Sequence, residues 1–419
     1  MTKKAKNESL TKAKIAKSDE FWTNIQDVED ELKYYKDHFK DKVVFCNCDD
    51  PEQSNFWKYF KLKFNFLGLK KLISTHYHET ERTYKLELEK KNGELVTTKT
   101  DLMQNGDFRS PECVELLKEA DIVVSNPPFS LMIFFLNLLV EHDKKFLFIS
   151  NQNALTYKDV FPLVRENKLW LGVNSGPMEF EVPNTEEYKR DTGWREDTET
   201  GKAYRTLGNI CWFTNLEHNK RNEELILWET YTPEKFPKYD NYDAINVGRV
   251  SEIPLNYTET KTVTAEKLNE IEASGFVFDE IEREGDNITI EIKNPVMGVP
   301  ITFLNKYCPN QFEIVAFRKG DDGQDLVFTR EREREFNHTF VSLYDVDSRN
   351  DKELRRRNQW ESYLRKNNNK EEIIEPIDYF YPNATNLQNT LVNDCTVNGA
   401  KTYVRVLIRK KIKEESNEN

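Results

Sequence analysis

One stretch constrains this chain more than any other: Asp121–Phe129, reading Asp-Ile-Val-Val-Ser-Asn-Pro-Pro-Phe. Its apolar, β-branched run is the pattern of a short buried strand in a parallel sheet. Pro127 and Pro128 remove two backbone donors and fix φ, so the chain must leave the sheet there in an extended turn. Behind the turn, Leu131–Val140 is an apolar run of helical length. The expected product is a rigid strand–turn–helix corner with Asn126 and Phe129 at the carboxyl end of a strand. Open α/β sheets bind their ligands at that edge.

The corner suits a particular chemistry. The Asn126 side-chain oxygen and the Pro127 carbonyl are both acceptors, able to take the two hydrogens of a planar amino group while Phe129 stacks on its ring. Accepting both hydrogens frees the nitrogen lone pair from conjugation and aims it at an electrophile. The plain alternative is a strand-ending turn, because Asn-Pro commonly starts turns. The strand before it and the helix after it favour the site. Asn-Pro-Pro-Phe closing a strand resembles the catalytic motif of S-adenosylmethionine-dependent amino methyltransferases, which act on DNA adenine, ribosomal-RNA guanine or protein glutamine.

With 419 residues the chain is long enough for about two domains. Hydrophobic residues at 37% and charged residues at 32% suit a soluble protein. No apolar run reaches the length of a membrane span, and the polar start Met1-Thr2-Lys3-Lys4 lacks a signal peptide's apolar segment. The expectation is therefore a cytoplasmic protein whose six cysteines are reduced thiols. A net charge of −12 argues against a wholly basic nucleic-acid coat, yet a local basic face is enough to bind DNA.

In chain order, residues 1–17 read as a mobile lysine-bearing arm. Ser18-Asp-Glu-Phe-Trp-Thr23 precedes a helical pattern from Ile25 to Phe39. Ser18 or Thr23 would cap that helix; the other reading brings Phe21 and Thr23 to the methionine end of a cofactor. Lys42–Cys46 is the first strand; it ends in the turn Asn47-Cys48-Asp49-Asp50-Pro51, and a helix begins near Asn55, which makes Cys46, Asn47, Cys48, Asp49 and Asp50 the cofactor candidates here. A Rossmann-like sheet holds its cofactor at such a turn. This one lacks glycine, but its acids suit a sulfonium and an amino group and oppose a phosphate. Cys46 and Cys48, like His76 and His78, have no second ligand pair at zinc spacing, so no metal is expected.

Gly68–Ser74 reads as the second strand, and its end offers no acid for a ribose. Tyr84–Leu88 alternates and Asn92-Gly93 turns, predicting a surface hairpin. Asp107 and Phe108 precede a helix over Pro111–Glu119 that Ser110 would cap. Alternatively, Asp107 accepts from a cofactor adenine and Phe108 packs on it. Strands follow at Lys145–Ser150, Leu169–Val173 and Ile210–Thr214, with a helix at Tyr157–Asn167 and a long polar loop over 174–208. Seven strands alternating with helices would complete a cofactor-binding unit over 18–230.

Ser-Asp-Glu-Phe-Trp-Thr, Cys-Asn-Cys-Asp-Asp-Pro, Gly-Asp-Phe-Arg-Ser, Ser-Asn-Pro-Pro-Phe-Ser and Leu-Trp-Leu-Gly-Val occur in order, followed by blocks at Pro237–Val247 and Met297–Phe303. This set resembles the EcoRI-type adenine-specific DNA methyltransferase family, and the glycine-poor first loop is a mark of it. The resemblance implies a Rossmann-like class I methyltransferase fold, with a mixed, mostly parallel seven-stranded sheet and a C-terminal α+β DNA-recognition region over 231–411. It implies S-adenosyl-L-methionine as cofactor and methyl transfer to adenine N6 in duplex DNA by base flipping. Asn126, Pro127, Pro128 and Phe129 match the catalytic motif. A monomer is expected, since one strand is methylated per event, and the family leaves room for a cognate restriction endonuclease acting on the same site.

Thr258–Lys293 and Asp321–Asn398 depart from the family pattern as insertions, and residues 412–419 read as a disordered tail. Candidate DNA contacts are Arg318, Lys319, Arg355, Arg356, Arg357, Arg405, Arg409, Lys410 and Lys411. A charge run is more often a solvated face, and Arg405 fits the solvent side of a strand. Two other readings stand beside this one: an amino methyltransferase acting on RNA or protein, and an inactive DNA-binding protein.

Overall fold

The computed structural model describes residues 21–48, 50–185, 189, 192–239, 243–317 and 405–412, with the backbone of 396–397 and 400–401. The chain divides into two units, Met1–Asn222 and Glu223–Asn419.

Unit 1 begins with a two-residue strand β1 (Trp22–Thr23) and helix α1 (Ile25–Leu32), which passes into a 3-10 turn over Lys33–His38. Neither Ser18 nor Thr23 is seen as the cap. Asn24 takes that place, its side chain accepting from the Gln26 amide at 3.0 Å, because Thr23 is engaged in β1; Ser18 lies outside the described residues. Strand β2 (Val43–Cys46) leads to α2 (Asn55–Leu67), capped by Ser54 and closed by Gly68, whose φ of 65° is the left-handed turn glycine permits. Next come β3 (Lys71–His76), β4 (Tyr84–Lys91) and β5 (Glu94–Asp101), the last two joined through positive φ at Asn92 and Gly93. Helix α3 (Pro111–Glu119) is capped by Ser110. Strand β6 (Ile122–Ser125), helix α4 (Met132–Glu141) and β7 (Lys145–Asn151) follow. The expected helix at Tyr157–Asn167 is only α5 (Phe161–Arg165).

The segment read as a polar loop is instead a ribbon: β8 (Trp170–Val182), β9 (Trp194–Glu196) and β10 (Ala203–Thr214) pair antiparallel. Its period-two signal is plain in retrospect. Met178, Phe180 and Val182 are buried and alternate with Glu179 and Glu181. The sheet therefore holds ten strands, not seven, in the order β1-β8-β10-β7-β6-β2-β3-β4-β5 with β9 on β10. Only β7-β6-β2-β3 is parallel; the hairpin extends one edge and the ribbon the other, both antiparallel. The expected surface hairpin is present, β5 being exposed along its whole length, and β4 joins it to the sheet through β3. The chain reverses direction across the sheet between β2 and β6, the switch point at which such sheets bind ligands.

A buried carboxylate ties the ribbon to α1. Glu31 accepts from Tyr35 Oη (2.7 Å), the Val173 and Asn174 amides (2.8 Å each) and Asn174 Nδ2 (2.9 Å). Burial raises the Glu31 pKa against the pull of these donors. Gly172 must be glycine here, because a Cβ would stand 2.3 Å from Glu31 Oε1.

In unit 2, β11 (Ile245–Asn246) precedes β12 (Glu259–Thr264), α6 (Ala265–Ala273), β13 (Phe278–Glu284) and β14 (Asn287–Ile292). The segment Thr258–Lys293 is thus a three-stranded sheet with a helix, its core including Val263, Ile271, Ile288, Ile290 and Ile292. A second sheet, β11-β15-β19-β16, contains β15 (Met297–Pro300), β16 (Phe312–Phe317) and, after the two-residue strands β17 (Thr396–Val397) and β18 (Ala400–Lys401), β19 (Arg405–Lys410). Most of 321–398 lies outside the described residues. Among the described residues no helix is long and apolar enough to cross a membrane.

Candidate active site at the carboxyl edge of the sheet

The β2 and β6 loops meet at the switch point, where the Cys48 amide donates to Ser125 Oγ at 3.1 Å. On the other side, Ser74 Oγ donates to the Cys46 carbonyl (3.1 Å) and Thr75 Oγ1 to that of Asn47 (3.4 Å), joining β2 to β3. Gly106 brings a third loop against β3: a Cβ there would stand 2.2 Å from the His76 carbonyl. Two segments bearing expected site residues, 46–48 and 125–129, thus lie at the ends of the neighbouring strands β2 and β6, and a third, 106–109, packs through Gly106 against the end of β3.

Pro127 is buried; Asn126, Pro128 and Phe129 are half-buried, and Phe129 opens a 3-10 turn into α4. Asn126 Nδ2 donates to the Phe21 carbonyl at 2.8 Å. The Phe21 ring stacks on Phe129, with centroids 5.7 Å apart and planes 23° from parallel. Arg205 of the ribbon lies over Phe21 at 5.7 Å. Phe21, expected near a cofactor, is packed against the Asn126–Phe129 corner, and Arg205 is a neighbour the sequence reading did not single out.

Two expected cofactor residues carry buried polar atoms with no hydrogen-bond partner among the described residues: Thr23 Oγ1, and both Nδ2 and Oδ1 of Asn47. Leaving such atoms unmatched costs about 1–3 kcal/mol each, so a polar ligand at this edge would be favoured. Cys46 is buried and Cys48 half-buried, both reduced; Asp49 lies outside the described residues. Asp50 has a structural occupation. Its carboxylate accepts from the Glu52 amide (3.0 Å) and from Tyr84 Oη (3.1 Å), and His76 stacks on Tyr84 with centroids 4.9 Å apart.

Asp107 and Phe108, expected at a cofactor adenine, are both engaged within the protein. Arg109 Nε and Nη2 donate to the two Asp107 oxygens at 2.8 and 2.6 Å. Burial pushes this carboxyl up, but the Arg109 bonds outweigh it and hold its pKa below the usual value. The Phe108 ring is buried edge-on against Phe135, 5.4 Å away, which makes it a core residue.

Of the DNA-contact candidates, Arg318, Lys319 and Arg355–Arg357 lie outside the described residues. Arg405 is not on a solvent face: it is buried, with Nε donating to Asn246 Oδ1 at 3.1 Å, because β19 sits between β15 and β16. Arg409 is likewise buried, paired with Glu313 at 2.7 Å. Lys410 and Lys411 line a cavity of about 460 Å³ within unit 2, together with Lys293, Asn256 and Gln311.

A large mixed α/β sheet with an Asn-Pro-Pro-Phe corner at its carboxyl edge fits a methyltransferase fold. The chain belongs to the adenine-specific EcoRI methyltransferase family, which it matches over residues 9–294 and 279–411. It is 42% identical to the type II methyltransferase M.EcoRI of Escherichia coli over 350 residues, covering 78% of this chain and 94% of that protein. It is 36% identical to M.MgeORF184P of Mycoplasma genitalium (73% of this chain, 85% of that protein) and 37% identical to M.MpnI of Mycoplasma pneumoniae (73% and 84%), both also type II methyltransferases. No solved structure matches the chain.

Proposed function

We propose that this site-specific DNA methyltransferase transfers a methyl group from S-adenosylmethionine to the N6 of adenine in duplex DNA, after flipping the base out of the stack. The observation that carries the reading is the Asn126 amide, anchored by its nitrogen on the Phe21 carbonyl at the switch point of the sheet. In that orientation Oδ1 is the end turned toward a reacting amine. Asn126 Oδ1 and the Pro127 carbonyl would accept the two N6 hydrogens. Phe129 would stack on adenine with the face turned from Phe21, offsetting part of the few kcal/mol that unstacking costs.

Thr23 and Asn47, with their unmatched buried polar atoms, fit a polar cofactor, and the Cys46–Asp50 turn would cradle it. S-adenosylmethionine, when bound, supplies an electrophilic methyl group on a sulfonium. The chain contributes alignment of N6 with that group, and proximity supplies much of the rate. No base is needed before attack, since the methylated amine becomes acidic and loses its proton afterwards. Lys410 and Lys411 are proposed phosphate contacts, along with Arg318, Lys319 and Arg355–Arg357; a cytoplasmic monomer is proposed with them.

The test supplies purified protein with tritiated S-adenosylmethionine and, separately, mixed-sequence duplex DNA, single-stranded DNA and RNA. Label recovered as N6-methyladenine from duplex DNA is expected. Label in RNA would replace the reading with an RNA methyltransferase, and binding of DNA without transfer would replace it with an inactive DNA-binding protein.

A further inference from the structure

We propose that the Phe21 carbonyl selects an amide, rather than a carboxylate, at position 126 and decides which end of it meets the target amine. The inference rests on the reading of Asn126 as the N6 acceptor and adds a positioning group to it. A carbonyl oxygen can only accept. At 2.8 Å from it, the facing atom of residue 126 must carry hydrogen, so the amide has one permitted orientation: Nδ2 toward Phe21, Oδ1 away.

The carbonyl is itself held from several directions. Trp22 pairs with Glu181 and Thr23 with Phe180, fixing β1 on the ribbon. Asn55 Nδ2 donates to the Thr23 carbonyl at 2.7 Å. The Phe21 ring is stacked on Phe129 and lies edge-on to Phe180, 5.7 Å from each. The segment 21–23 thus acts as a jig for a side chain 105 positions further along the chain.

An aspartate at 126 would bring an oxygen without hydrogen against the Phe21 oxygen. It would fit only when protonated, its O–H donating to Phe21 and its C=O taking the role of Oδ1. Bonding of the neutral form to a fixed acceptor raises the carboxyl pKa. Methyl transfer by Asn126→Asp should therefore follow the protonated fraction and fall tenfold for each pH unit above that raised pKa. Without the Phe21 constraint the opposite slope follows, because a carboxylate accepts a hydrogen bond from N6 more strongly than an amide does.

The experiment is single-turnover methylation of duplex DNA by the full chain, comparing wild type, Asn126→Asp and Asn126→Ala from about pH 5 to about pH 8, across the range into which hydrogen bonding moves a carboxyl. The proposal expects the Asp variant, corrected for the Ala background and the wild-type profile, to lose activity as pH rises. A flat or rising Asp profile overturns it. Asn55→Ala is the second arm, usable even where the Asp variant does not fold. It removes the tether at Thr23 without touching residue 126, and kcat should fall severalfold while KM for duplex DNA holds; an unchanged kcat overturns the jig. Absence of duplex methylation by the wild type would instead remove the reading on which the proposal rests.

Discussion

The carboxyl edge of unit 1 and the centre of unit 2 both bury polar side chains, and they treat them oppositely. In unit 2, Asn246 Oδ1 accepts from Tyr239 Oη at 2.9 Å and from Arg405 Nε at 3.1 Å, and Gln311 exchanges two hydrogen bonds with the Leu225 backbone. Gly298 makes room for this network, since a Cβ would stand 2.3 Å from Tyr239 Oη. These groups satisfy one another and weld distant segments together. At the edge of β2 and β1, Asn47 and Thr23 are buried too, but their side-chain polar atoms lack hydrogen-bond partners among the described residues. Buried polarity that is matched internally serves the fold; the unmatched side-chain atoms of Thr23 and Asn47 are what the proposed cofactor would satisfy.

Substitutions can separate the two. Asn126→Ala should have the largest effect, lowering turnover on duplex DNA about 1,000-fold, comparable with deleting one preorganised hydrogen-bonding group at a reacting centre, with cofactor affinity nearly unchanged in equilibrium binding. Asn246→Ala should destabilise the protein by about 2 kcal/mol, read as a lowered denaturant midpoint, because two buried donors lose an acceptor. Asn47→Ala sharpens the contrast. It should raise the stability of the ligand-free protein by about 1 kcal/mol, since an unmatched buried amide disappears, while weakening cofactor binding severalfold. A destabilised Asn47→Ala variant would mean that its amide serves the fold after all.

The smallest effect is a pH dependence at Asp107. Its folded-state pKa lies below the ordinary 3.8, so its stabilising contribution is present above that value and lost as pH falls through the lower, folded-state value. Asp107→Asn should lower the neutral plateau of a stability–pH curve slightly and flatten its acid limb, so that variant and wild type converge at low pH.

How much of this was legible from sequence depended on which atoms carry the information. Some caps and turns are written in side chains: Ser110 and the Asn92-Gly93 turn stand where their chemistry predicts. Gly68, read as opening the second strand, instead closes α2 in the left-handed conformation, and the strand starts at Lys71. The strand–turn–helix corner at 122–141 was equally readable, because two prolines leave the backbone few choices. The ribbon was hidden by its polar composition, although Met178, Phe180 and Val182 alternate within it. Burial of Phe108 and Arg405 depends on neighbours remote in sequence, Phe135 and Asn246. The Phe21–Asn126 bond could not be read at all: its acceptor is a main-chain oxygen, which every residue possesses.

That bond also has a bearing on how the enzyme comes into being. Bringing Phe21 to Asn126 closes a loop of 105 residues, at an entropic cost of about 4 kcal/mol before any contact offsets it. The β1–β8 pairing that steadies Phe21 spans a still longer stretch, from Trp22 to Glu181. Contacts of such separation form late in folding. During synthesis, residue 126 leaves the ribosome well before β8, so the nascent corner exists without its jig. Catalytic competence should therefore arrive in one step with completion of unit 1, leaving partly folded chains silent toward DNA.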